Sequence, residues 1–164
     1  MSPDCVAAMQ LFDSLKVVGE PKLLRGAVNA VQLATLPGEE VELFDLDSNL
    51  ARTLLSYSAQ KGNLIADGVF VWRTQTEVRV IVVELKGKKL KHAIEQASRT
   101  CDLVTARLPK GCAVKLRAFI ACSSAAGHQV LPYKVAFQKR HSFPPTIRHR
   151  PRGSDTVDLR KEFS

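Results

Sequence analysis

The spacing of apolar residues changes several times along the chain, and each change predicts an element. Residues 4–18, DCVAAMQLFDSLKVV, place Val6, Met9, Phe12 and Leu15 three apart, a helical stripe. A second helix is expected over 22–36, closed by Pro37-Gly38. The stretch EEVELFDLD (39–47) fits either a short strand or a helix start. Asp47 or Ser48 can cap a helix reaching about Gln60, broken by Lys61-Gly62-Asn63. DGVFVWR (67–73) and VRVIVVELK (78–86) are rich in β-branched and aromatic residues, and TQTE joins them, which predicts a hairpin. Its turn has no central Gly or Asn, so the loop type stays open. Val78–Val83 is apolar on both faces, as in a central strand covered on both sides. Ile94, Ala97, Cys101, Val104 and Leu108 form one stripe on a helix from Leu90 to Leu108, ended by Pro109-Lys110-Gly111. AVKLRAFIACSS (113–124) reads as the next strand. Beyond Gly127 the pattern loosens. Lys134 to Arg152, with prolines at 144, 145 and 151, reads as a basic extended arm with a strand at 134–138.

These elements predict an α/β fold, a central mixed sheet flanked by helices. Three parts are expected: an acidic, mainly helical N-terminal segment (1–47), an α/β core (48–126) and a basic C-terminal extension (127–164), packed on the core or extending from it. With 164 residues and 45% hydrophobic composition the chain can bury a core of its own. No apolar run approaches a membrane span, so no membrane partner is expected. The N-terminus has Asp4 and no basic stretch before its short apolar run, unlike a cleaved leader. The four cysteines form no CxxC pair and lack zinc-site spacing. They read as plain thiols in a reducing, cytoplasmic setting.

Charge changes the picture. Residues 1–47 hold three basic and eight acidic side chains, whereas residues 48–164 hold 21 basic and eight acidic ones. A net charge of +8 concentrated in one part points to a polyanionic partner, nucleic acid above all.

The hairpin also acts as a ruler. If its turn is centred between Gln75 and Thr76, Asp67 lies opposite Glu84. Lys86, two residues on, shares Glu84's face, while Phe70, Trp72, Ile81, Val83 and Leu85 take the other. Two opposed carboxylates at a buried strand end repel, unless a raised pKa, solvent or a bound cation relieves them. Mg²⁺ or Mn²⁺ is the economical answer, because such ions take one or two carboxylates and complete their shell with waters and phosphate oxygens. The Leu85 carbonyl is a further candidate ligand. The plain alternative is a turn at Asp67-Gly68 and a surface pair Glu84–Lys86 of little energetic weight.

IADGVFVW followed by VIVVELKGK resembles the PD-(D/E)XK nuclease superfamily, with Ala66 in place of the proline. The resemblance implies a restriction-endonuclease-like αβββαβ core and makes Asp67 and Glu84 metal ligands and Lys86 the catalytic lysine. It implies metal-assisted hydrolysis of phosphodiester bonds, most naturally in DNA. A glutamine that some members carry on the following helix matches Gln96, while Thr100 stands where a tyrosine is often found. A glutamate that some members carry on the first helix has no counterpart between 48 and 60; Glu39, Glu40 or Glu42 would serve only if that helix started earlier. Lys88, Lys89 and Lys91 would contact phosphates beside the cut, and Arg140, Arg148, Arg150 and Arg152 would grip the duplex further out. A chain this short implies a homodimer or a larger partner for specificity. The alternative is an inactive scaffold, either a nucleic-acid-binding domain or a protein-interaction module that uses its acidic segment.

Overall fold

The computed structural model describes residues 13–26, 29–54, 65–86, 89–108, 110–123, 128–149 and 156–164. Among them are eight strands and four α-helices. In chain order these are β1 (Lys22–Arg25), β2 (Ala30–Leu33), β3 (Glu40–Asp45), α1 (Asn49–Leu54), β4 (Gly68–Arg73), β5 (Val78–Lys86), α2 (Leu90–Arg107), β6 (Val114–Cys122), α3 (Leu131–His141), β7 (Thr146–His149), β8 (Val157–Asp158) and α4 (Leu159–Phe163). They form a mixed α/β fold with two mixed sheets, ordered β3-β4-β5-β6-β7 and β1-β2-β8. Among the described residues no helix is long and apolar enough to cross a membrane.

In the large sheet β3, β4 and β5 run antiparallel, and β6 and β7 continue it in parallel. The ladder Gly68↔Val83 through Arg73↔Val78 has the register counted from the sequence. A threonine replaces the missing turn glycine: the Thr74 hydroxyl accepts from the Thr76 and Glu77 amides, and Thr74 N–H donates to the Glu77 carbonyl at 2.9 Å. β5 is the central strand and buried on both faces, as its unbroken apolar run requires. One face packs Val69, Val71, Val80 and Val82 against Ile94, Ala97, Cys101 and Val104 of α2 and Phe137 of α3. The other packs Phe70, Trp72, Ile81, Val83 and Leu85 against Leu24, Val31 and Leu33 of the small sheet and Leu159 of α4. The sheet is therefore covered by helices on one face and by a second sheet on the other.

That second sheet corrects the helix expected over 22–36. Gly26 and Asn29 close a tight hairpin, with Gly26 N–H donating to the Asn29 carbonyl at 2.8 Å, and Val31 and Leu33 alternate inward as a strand requires. Gly68 reflects the same close packing. A Cβ there would sit 2.8 Å from Leu24 Cδ2 and 3.0 Å from the Phe44 carbonyl oxygen, so Asp67-Gly68 opens a strand and is no free turn. EEVELFDLD resolves as strand β3, with Val41 and Leu43 on one face and Phe44 on the other. Of the helix expected over 4–18, residues 13–15 form a 3₁₀ turn and Lys16 bridges to Phe44, while the start lies outside the described residues. Ser48 caps α1, its hydroxyl accepting from Ala51 N–H at 3.0 Å.

The extended arm is also corrected. Residues 131–141 are helical, with Pro132 in the first turn and Ser142 at a left-handed φ of 65° closing the end. β7 then joins the sheet beside β6. The C-terminal residues return to the start of the chain. β8 pairs with β2, and Arg160 makes two bonds to Glu39 at 2.7 and 2.9 Å and lies over the Trp72 ring, which also faces Arg79. Cys101 and Cys122 are buried free thiols as expected, whereas Cys112, expected as a plain thiol, is disulfide-bonded.

Candidate metal centre

The site lies where β4 begins and β5 ends. Antiparallel pairing sets Gly68 against Val83, so the next position out puts Asp67 across from Glu84. Asp67 is held from three sides. Its carbonyl accepts from Leu46 N–H at 2.9 Å, and its Oδ2 accepts from Leu85 N–H at 2.5 Å. The two residues before it are fixed by α2, where Gln96 Nε2 donates to the Ile65 carbonyl at 3.0 Å and Thr100 Oγ1 accepts from Ala66 N–H at 2.8 Å. Thr100 Oγ1 also donates to the Gln96 carbonyl. Two buried polar residues one helical turn apart thus anchor the approach to Asp67.

Gln96 has a second role in the geometry. Its Oε1 accepts from Lys86 Nζ at 3.2 Å, which holds the ammonium on the face it shares with Glu84, 3.8 Å from Glu84 Oε1. Glu84 is only 1% exposed, and its Oε2 is buried without a hydrogen-bond partner. An orphaned carboxylate oxygen at 1% exposure is costly and invites a proton or a cation. Burial pushes the Glu84 carboxyl up to about 8, and the charge of Asp67 adds to this, against the pull of Lys86. Burial likewise raises Asp67 to about 6, opposed mainly by the Leu85 amide.

Two further acids act on this pair, Asp47 on both carboxylates and Asp45 on Asp67. Asp45 pairs with Gly68 across the sheet and accepts from Asp47 N–H at 3.0 Å. Their place beside Asp67 follows from the pairing of β3 with β4, which no local sequence pattern announces. Among the described residues no three His, Cys, Asp or Glu side chains come together as a complete metal cluster. A divalent ion here would be held by Asp67 and Glu84 with oxygens from backbone, water or phosphate, which suits Mg²⁺. Leu85 is a candidate for the backbone oxygen, since the N–H and C=O of one strand residue point to the same edge and its N–H meets Asp67. The orphaned Glu84 Oε2 fits such an ion. Glu39, Glu40 and Glu42 do not join the site: Glu39 binds Arg160, while Glu40 and Glu42 face Arg73.

The expected phosphate contacts divide. Lys89 and Lys91 are exposed at the start of α2, beside the site, with Lys91 Nζ 5.0 Å from the Tyr133 ring centroid. Arg140 is instead paired with Asp102 at 2.8 and 3.0 Å, and Arg148, although in register with Leu85 through Ala121, is paired with Glu162 at 2.8 Å. Lys88, Arg150 and Arg152 lie outside the described residues. No family model, no curated protein and no solved structure matches this chain.

Proposed function

We propose that the chain is a metal-dependent nuclease of PD-(D/E)XK type that hydrolyses phosphodiester bonds in DNA. The observation that carries this is the buried pair Asp67 and Glu84, with one carboxylate oxygen unpartnered and Lys86 fixed on the same face. The order β3, β4, β5, α2, β6 supports it, being three strands, a helix and a strand, with Asp67 just before the second strand and Glu84 on the third. The first core strand then precedes residue 48, ahead of the expected boundary, and α1 falls between strands.

In this reading Asp67 and Glu84 would hold Mg²⁺ or Mn²⁺. Such an ion, when bound, activates water and polarises the scissile phosphate. Lys86, steadied by Gln96, orients the attacking water and offsets charge that develops on the phosphate. Lys89 and Lys91 take neighbouring phosphates, which gives affinity without base choice. Catalysis needs both carboxylates ionised, so an ion must overcome the raised affinity of Glu84 for its proton.

The test is cleavage of plasmid and linear DNA in Mg²⁺ and in Mn²⁺ by the wild type, Glu84→Ala and Lys86→Ala. Cleavage by the wild type alone supports the reading, whereas equal activity in all three, or none, overturns it. The absence of a third converging carboxylate among the described residues favours a second reading, a DNA-binding scaffold that does not cut. Calorimetry with Mn²⁺ separates them, because that scaffold would bind no ion, or bind it equally well after Asp67→Ala.

A further inference from the structure

We propose that the outward face of α3 docks an acidic amphipathic helix of a partner protein. This stands independently of the nuclease reading. At about 100° per residue, Tyr133, Phe137 and His141 fall on one side of α3. That side meets α2, where Phe137 is buried and His141 Nε2 lies 2.8 Å from Ser98 Oγ. Leu131, Pro132, Val135 and Ala136 fall on the opposite side, and all four are exposed, Leu131 by 58% and Val135 by 41%. A helix apolar on two opposed faces is built to be covered twice. Among the described residues the second face is left exposed.

Charge identifies the occupant. Lys139 continues the apolar stripe, and Lys134 and Arg140 flank it. Lys134 and Lys139 make no ion pair among the described residues. From Leu103 to Ser154 the sequence has ten lysines and arginines and no acidic residue. The complementary surface is therefore apolar at its centre and acidic at its rim, the usual layout of a helix laid on a helical face. Nucleic acid fits worse, because phosphates seek cations and polar groups and the centre of this face is hydrocarbon. Self-pairing of α3 about a two-fold axis would oppose lysine to lysine with no carboxylate to answer. A lipid surface fits worse as well, because this face carries no aromatic anchor.

The test is selection of 16-residue peptides from a random display library on the full chain, with counter-selection on Leu131→Ser/Val135→Ser. Both substitutions are at exposed positions, and an unchanged melting temperature checks the fold. The expected result is a class of peptides with net negative charge and apolar residues three or four apart. Their affinity, read by fluorescence anisotropy, should drop about tenfold or more in the double variant. It should also fall in Lys134→Glu/Lys139→Glu and weaken with salt. If no peptide class depends on Leu131 and Val135, or if the dependent class is not acidic, the proposal is wrong. Self-association in sedimentation, binding to phosphatidylserine vesicles or binding to duplex DNA that the serine variant abolishes would each reassign the face and overturn it.

Discussion

Glu84→Gln removes one ionisable group from the centre of the candidate site and leaves its shape almost unchanged. In the folded chain the Glu84 carboxyl is raised from 4.5 to about 8, chiefly by burial and then by the charge of Asp67. Between those two values the folded state holds a proton that the unfolded state has released, so stability falls as pH rises. Each tenfold difference in proton affinity is worth ~1.4 kcal/mol, so the loss between pH 5.5 and 8.5 is on the order of 3 kcal/mol. For a domain of this size that corresponds to about 6–12 °C of melting temperature. The assay is thermal unfolding of the metal-free wild type and of Glu84→Gln across this range. The wild type should melt markedly lower at pH 8.5 than at pH 5.5. The glutamine variant should lose most of that slope and exceed the wild type at pH 8.5. Asp67, raised to about 6, leaves a smaller slope confined mainly below neutral pH. Mn²⁺ should restore the wild type at pH 8.5 and do little for the variant. Parallel pH profiles for the two proteins would refute the buried, unrelieved carboxylate.

Thr100→Val leaves the Ala66 amide without its partner and should destabilise the fold by about 1–3 kcal/mol, read by urea unfolding, while also weakening Mn²⁺ binding through a displaced Asp67. Gln96→Leu frees Lys86 and should lower the cleavage rate more than the affinity for DNA, as a comparison of single-turnover rates and binding isotherms would show. Lys89→Ala should reduce the salt dependence of DNA binding by about one released counterion, whereas Arg148→Ala, tied to Glu162, should leave it unchanged in fluorescence titrations. Gly68→Ala forces a Cβ against Leu24 and the Phe44 carbonyl and should cost about 1–3 kcal/mol in the same unfolding assay.

The facing of Asp67 and Glu84 was legible because the hairpin has one short loop and both its strands are buried, which leaves little freedom of register. The long stripe of α2 was legible for a similar reason, as one continuous face packs on one sheet. Other features resisted. The β1–β2 hairpin hides in KLLRGAVNAVQL, where apolar residues satisfy a helical period as well as an alternating one and only the Gly26–Asn29 turn decides. α3 was hidden by its two apolar faces, which blur any single period. Asp45 and Asp47 could be counted from the sequence, but their action on Asp67 arises from β3 lying beside β4, a pairing between strands distant in sequence that no local pattern announces. Thr100 looked like a departure from a motif, yet its hydroxyl fixes the backbone beside Asp67.

The pairing of β2 with β8 also bears on how the chain emerges during synthesis. Val31 must wait for Val157, and Glu39 for Arg160. At ~5–20 residues per second that wait lasts about 6–25 s. Throughout it one edge of β2 lacks its partner strand, and Val31 and Leu33 lack the cover of Val157 and Leu159. The nascent chain thus passes through a period in which a short apolar strand edge is open to other chains. Its yield in cells should respond to translation speed and to chaperones that shield such edges, even though the finished fold leaves none of these residues exposed.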